Sequence, residues 1–226
     1  MARFSLPLEG MSPESVLGEM EEARSGDVKW RDGKAFSLVY YPGDELGDFI
    51  KQAYTRFISE NALNPTAFPS LRRFENEVVA MTANLLGGDG ETCGNMTSGG
   101  TESILMAVKA AREWGKEHRP KVTNPEMIIP VTAHPAFHKA AHYFGVKAVL
   151  VPVRSDFRVN IKAVKKAMNK RTVMVVGSAP AYPQGIVDPI TELARVASEA
   201  GILCHVDACV GGMMLPFVRS LGYAVP

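Results

Sequence analysis

The sequence predicts an α/β domain built on a mostly parallel sheet with helices on both faces, and three observations point there. From about Glu126 onward, short apolar runs alternate with stretches of helical periodicity. The runs are continuously apolar, as strands buried on both faces are, and the intervening helices imply right-handed crossovers. With 226 residues, 46% of them hydrophobic, the chain is long and apolar enough to bury the core such a sheet needs.

Before Gly94 the pattern is helical. A short helix is expected near 12 to 23, a second in "DELGDFIKQAYTRFISEN" from Asp44, and a third in "SLRRFENEVVAMTANLLGG" from Ser70. The proline-rich "ALNPTAFPS" between the last two ends a helix on each side. This divides the chain into an N-terminal helical segment, 1–66, and a sheet domain, 67–226. Next comes "GNMTSGGTES" (94 to 103), which opens an amphipathic helix carrying Ile104, Leu105, Val108 and Ala111 on one face. Strands are expected in "MIIPV" (127 to 131), "KAVLVPV" (147 to 153), "TVMVVGS" (172 to 178) and "GILCHVD" (201 to 207), with helices near 134 to 145, 159 to 169 and 189 to 200. Ligands of such sheets bind beyond the carboxyl ends of the strands, which puts Ser178 and Asp207 at one rim. No internal repeat or low-complexity tract interrupts the pattern.

Composition excludes several function classes. With 25 basic and 24 acidic side chains, the net charge of +1 gives no reason to expect a nucleic-acid partner. The lysines of "KAVKKAMNKR" fall between Ile161, Val164 and Met168 at helical spacing and read as a solvated face. No apolar run approaches the roughly 20 residues of a spanning helix, and "MARFSLPLEGMSPES" lacks a signal-peptide core, so the cytoplasm is the expected location. Cys93, Cys204 and Cys209 form no C-x-x-C pair; they are expected to be buried free thiols without a chemical role.

Residues with chemistry to offer cluster at the expected rim. Hydroxyls and bare amides at a helix N-terminus make an anion site, and glycine lets backbone come close to a phosphate, so Gly99, Gly100 and Thr101 suit that purpose. The plainer reading of the same stretch is a capping turn with Thr101 as N-cap. Asp207 closes "ILCHVD", where four of the five residues before it are apolar, and a buried charge needs a partner; a salt bridge, a cap for the next helix or catalysis would each supply one. His134, His138 and His142 are spaced i, i+4, i+8. Two ligands so spaced can converge on an ion, but no carboxylate or cysteine joins them on that helix, so no metal is expected. His134 differs in following a strand end, where an imidazole can lie flat on a planar ligand. A phosphate cradle, a strand-end carboxylate and a stacking ring together suit pyridoxal 5'-phosphate, whose pyridine ring serves as an electron sink when its nitrogen stays protonated.

Four stretches, "NMTSGGTESILMAVKAARE", "TAHPAFHKAAHYFGVKAVLVPV", "GSAPAYPQGIVDPI" and "CHVDACVGGMMLPF", closely resemble the pyridoxal-phosphate-dependent sphingosine-1-phosphate lyases. These belong to the wider group-II decarboxylase family with the aspartate-aminotransferase fold, PLP fold type I. The resemblance runs from about Lys34 to Gly222. It implies a homodimeric enzyme of sphingolipid metabolism that splits a phosphorylated 2-amino-3-hydroxy compound into an aldehyde and phosphoethanolamine. It also implies roles: Gly99, Gly100 and Thr101 on the cofactor phosphate, His134 on the ring, Asp207 on the pyridine nitrogen, Ser178 lining the pocket. Tyr40, Asn61 and Asn64 match positions on the substrate side, reached across a dimer interface. Two departures stand out. Asn64 replaces a histidine that the resemblance places near the substrate's phosphate, and it carries no positive charge. No lysine follows Asp207, where the family has its Schiff-base lysine, so the chain reads as the N-terminal portion of an enzyme, inactive alone. An amino-acid decarboxylase on the same cofactor, or an inert fragment, are the alternatives.

Overall fold

The computed structural model describes residues 8–35 and 39–225. The chain divides into two compact units, 1–68 and 69–226, and the division falls inside the proline-rich linker, between Phe68 and Pro69.

Among its described residues the first unit holds helices α1 (Pro13–Arg24) and α2 (Asp44–Arg56), with a 3-10 turn at Trp30–Asp32. Helix α1 begins where Pro13, lacking an N–H that would go unpaired anyway, follows Ser12, whose side chain accepts from the Ser15 N–H at 3.2 Å. Helix α2 stops at Arg56, short of the expected Asn61, because Phe57 leaves helical geometry at φ −123° and ψ 18°. Its apolar stripe of Leu46, Phe49, Ile50 and Tyr54 is exposed.

The second unit runs α3 (Pro69–Leu85), α4 (Gly100–His118), β1 (Glu126–Pro130), α5 (Ala136–Phe144), β2 (Lys147–Val151), α6 (Ile161–Ala167), β3 (Thr172–Ser178), α7 (Ile190–Glu199), β4 (Leu203–Asp207) and α8 (Gly211–Ser220). The four strands are parallel, in the order β2-β1-β3-β4. Alternation sorts their side chains between two cores. Met127, Ile129 and Val176 meet Ile104, Val108 and Ala111 of α4 and Phe137 and Ala140 of α5 on one face. Ile128 and Val175 meet Val164 of α6 and Leu193, Val196 and Ala197 of α7 on the other. This is the layered architecture the sequence predicts.

Glycine sets how closely these layers approach. A Cβ at Gly115 would lie 2.8 Å from Val173 Cγ1, so α4 rests directly on β3. Arg119, just past α4, donates to the carbonyls of Thr172, Ala200 and Gly201 at 2.8–3.1 Å and ties the helix end to the starts of β3 and β4. Helix α8 was hidden from a periodicity reading by its Gly211-Gly212 start and by Pro216 inside it. None of the helices of the described residues is long and apolar enough to cross a membrane.

The cysteines correct the sequence expectation: Cys93 and Cys209 are exposed and Cys204 is half-buried. Cys93 lies in the loop before α4 and Cys209 in the turn after β4, so apolar neighbours in sequence do not enclose them.

Candidate functional site

Six of the residues singled out by sequence lie in the second unit, on one side of the sheet at its carboxyl rim. Ser178 and Asp207 are register partners that close β3 and β4, on strands about 4.8 Å apart. Both face the α4/α5 side. A Cβ at Gly177 would meet Leu193 and Ile190 of α7, at 2.8 and 2.9 Å, so Ser178 projects the opposite way. On β4, His205 lies edge-on to Phe137 of α5, with ring centroids 5.7 Å apart, and Asp207, two residues on, shares that face.

The N-terminus of α4 comes to the same place. Gly99 is the residue before the helix, with φ 156° and ψ 174°, a conformation close to Gly-only. This removes the alternative reading of Thr101 as N-cap: Thr101 is already the second helical residue. Thr97 Oγ1 donates to the Gly99 carbonyl at 3.1 Å and pairs with Ser103 Oγ at 2.7 Å. The Ser103 N–H takes the Gly99 carbonyl, while the N–H groups of Gly100, Thr101 and Glu102 find no acceptor among the described residues. A Cβ on Gly100 would stand 2.9 Å from Cys209 Sγ. The first turn of α4 therefore abuts the turn that follows Asp207, and the absence of a side chain at Gly100 permits that close approach.

Asp207 Oδ1 accepts the Cys209 N–H at 3.3 Å, and the Asp207 carbonyl accepts the Ala179 N–H at 2.8 Å. Among the described residues its partner is thus the turn it caps, not a cation. Burial, then the hydrogen bond and negative charge of Asp207, push the Cys209 thiol up to about 11. Burial depresses the basicity of His205, and the charge of Asp207 partly restores it.

His134 follows β1 and precedes α5, so only His138 and His142 lie on that helix. The three-imidazole face expected from spacing is not formed, and no group of three metal-ligating side chains occurs among the described residues. His134 is exposed, and its Nδ1 accepts the Ala136 N–H at 3.1 Å, which fixes the ring at the rim.

Tyr40, Asn61 and Asn64 belong to the first unit. Tyr40 is 71% exposed. Asn61 Oδ1 accepts the Leu63 N–H at 3.1 Å. Asn64 Oδ1 accepts from both Thr66 and Ala67, at 3.1 and 3.2 Å, a side-chain turn for which asparagine before proline is well suited.

Two supporting acids escaped the sequence reading. Asp188, 1% exposed, accepts from the Ser178 N–H at 2.8 Å and the Val159 N–H at 2.7 Å; burial raises its carboxyl, against those two hydrogen bonds and the charge of Arg158. It braces the end of β3 from behind. Glu102 accepts from Ser98 twice, and these bonds hold its carboxyl below the usual range. The Ser-x-x-x-Glu spacing was the available signal for Glu102; Asp188 lies in "GSAPAYPQGIVDPI", a stretch whose resemblance to the family assigns it no role.

Unpaired amides at a helix start, a glycine at the contact with the turn beyond the strand, and a strand-end carboxylate suit a phosphorylated pyridine in charge. Residues 5–226 match the model of the pyridoxal-dependent decarboxylase conserved domain. A sphingosine-1-phosphate lyase of Arabidopsis thaliana is 49% identical over 229 residues, covering 98% of this chain and 42% of that protein. Sphingosine-1-phosphate lyase 1 of Rattus norvegicus is 45% identical over 219 residues, 97% of this chain and 38% of that protein. Among solved structures, a sphingosine-1-phosphate lyase of Burkholderia pseudomallei is 41% identical with a TM-score of 0.91, over 98% of this chain and 52% of that one. The chain spans about half or less of the length of these relatives.

Proposed function

The chain belongs to the pyridoxal-dependent decarboxylase family, and from that premise we propose that it is the cofactor-binding portion of a carbon–carbon lyase. The substrate in this reading is a phosphorylated long-chain 2-amino-3-hydroxy compound, cleaved between Cα and Cβ to an aldehyde and phosphoethanolamine. The observation that carries the cofactor reading is the approach of the open first turn of α4 to the turn after Asp207. The likeness to sphingosine-1-phosphate lyases over nearly the whole chain supports the choice of reaction within the family.

When bound, pyridoxal phosphate supplies an electron sink for the bond that breaks. The amides of Gly100, Thr101 and Glu102 bind its phosphate at the positive end of the α4 dipole, with Gly99 making the turn. Asp207 holds a proton at the pyridine nitrogen, while its bond to the Cys209 N–H keeps the carboxylate aimed from the strand end. His134 stacks on the ring and fixes its plane, and Ser178 lines the pocket on the next strand. Tyr40, Asn61 and Asn64 are assigned to the substrate side from the resemblance, in a homodimer whose formation would cover the exposed apolar stripe of α2.

One observation favours a second reading. Asn64 is neutral, and its side-chain oxygen is committed to two backbone N–H groups, so it offers a substrate phosphate no positive charge. That suits an amino-acid decarboxylase better. The two readings part on products: the intact protein, given a phosphorylated sphingoid base, should release a long-chain aldehyde in step with phosphoethanolamine. Carbon dioxide from an amino acid, with no aldehyde from any sphingoid phosphate, contradicts the lyase.

A further inference from the structure

A glutamate stands in the first turn of α4, beside the amides assigned to the cofactor phosphate, where its charge is the wrong sign for a phosphate neighbour. A carboxylate there favours the helix itself, since it faces the positive end of the dipole. Charge alone would make Glu102 a helix-stabilising residue that weakens the anion site.

Its hydrogen bonds point elsewhere. The Ser98 N–H and the Ser98 hydroxyl both donate to one oxygen, Glu102 Oε2, at 2.7 and 2.6 Å. Ser98 immediately precedes Gly99, the residue whose extended, positive-φ geometry turns the chain into the helix. One residue earlier, Thr97 Oγ1 donates to the Gly99 carbonyl and pairs with Ser103 Oγ. Ser98 is thus drawn to the helix by Glu102 and Thr97 by Ser103, so the two consecutive residues that lead into the Gly99 turn are both tied to the first turn of α4.

We propose that Glu102 is a positioning residue for the phosphate loop: by taking both donors of Ser98 it fixes the Gly99 turn, so that the amides of Gly100, Thr101 and Glu102 face one anion. This rests on the phosphate-site reading above. What the loop needs from residue 102 is one acceptor oxygen at the end of a two-carbon side chain, not its negative charge. Glutamine keeps the oxygen and drops the charge; alanine loses both.

The test compares Glu102→Gln, Glu102→Ala and, outside the helix, Ser98→Ala in the intact protein. Two quantities are read: hydrogen exchange of the amides of residues 96 to 100 without cofactor, and equilibrium affinity for pyridoxal phosphate and for inorganic phosphate. Glu102→Ala should speed loop exchange and weaken pyridoxal phosphate binding, each about tenfold, the scale of losing the net contribution of a hydrogen bond. Ser98→Ala, which keeps its N–H donor, should fall between Glu102→Ala and wild type. Glu102→Gln should exchange as slowly as wild type and bind both anions at least as tightly. If glutamine behaves like alanine, Glu102 acts through its charge on the helix and the proposal is overturned. It is overturned equally if Glu102→Ala leaves exchange unchanged while wild type binds cofactor. A wild-type protein that binds neither anion overturns the proposed function, and the phosphate role of Glu102 with it.

Discussion

Asp207 governs the thiol two residues beyond it. Its carboxylate accepts the Cys209 N–H, and burial together with Asp207 pushes that thiol up to about 11. Since only the thiolate attacks an alkylating reagent, Cys209 should react slowly at neutral pH although it is exposed. In the intact protein before cofactor is added, its alkylation rate should climb toward a midpoint near 11, and Asp207→Asn should move that midpoint down. Burial, the largest cause, stays in the variant, so the midpoint should remain above that of a free cysteine. A wild-type midpoint near 8.5, the value for an unperturbed thiol, contradicts this. At this scale the sequence was legible where chemistry coincides with a strand end. Ser178 and Asp207 stand at the rim because an apolar run has to stop somewhere, and the polar residue that stops it marks the end. It was illegible where exposure depends on folding: Cys93 and Cys209 sit among apolar residues in sequence and in open turns in the structure.

Elements carry the site only if their ends are fixed, and the end of β3 is fixed by Asp188. The carboxylate accepts the N–H of Ser178 from one side and that of Val159 from the other. Asparagine would face one of those donors with an N–H₂ group, so Asp188→Asn should cost about 1–3 kcal/mol at neutral pH, within the range for leaving a buried donor unsatisfied. The pH dependence has a definite sign. The folded carboxyl is raised above its unfolded value of 3.8, so the stability it contributes is full below 3.8 and is lost as pH rises through the folded value. Urea unfolding of both forms should therefore show the gap between wild type and Asp188→Asn widening on acidification toward 3.8. A gap that narrows rules the account out. The four strands and the helices between them were readable because each strand is a short continuous apolar run and each helix a period-3.6 pattern, bounded by turn residues. Helix α8 was not, since two glycines and an internal proline argue against a helix locally. Tertiary contact overrides them: a Cβ at Gly211 would stand 1.9 Å from the Ala179 carbonyl oxygen, so a glycine is required there for α8 to begin beside β3.

Taken whole, the second unit places an anion-seeking helix end and a strand-end carboxylate at one rim, on the side of the sheet that α4 and α5 cover. The layering was legible because continuous apolar strands separated by helices admit few other arrangements. That Cys209 and Gly100 would be the point of contact was not, since they are 109 residues apart and neither residue type signals the other. The central claim is that this junction holds the phosphate of pyridoxal phosphate, and Gly100 tests it most directly. A valine there puts a Cβ 2.9 Å from Cys209 Sγ, so the first turn of α4 and the turn after Asp207 must move apart. The measurement is a spectroscopic titration of the intact protein with pyridoxal phosphate, wild type against Gly100→Val, with thermal melting alongside. The account predicts that wild type binds and that the variant, which still melts as a folded protein despite the overpacked contact, binds more than about tenfold more weakly. Equal affinity in the two proteins contradicts it.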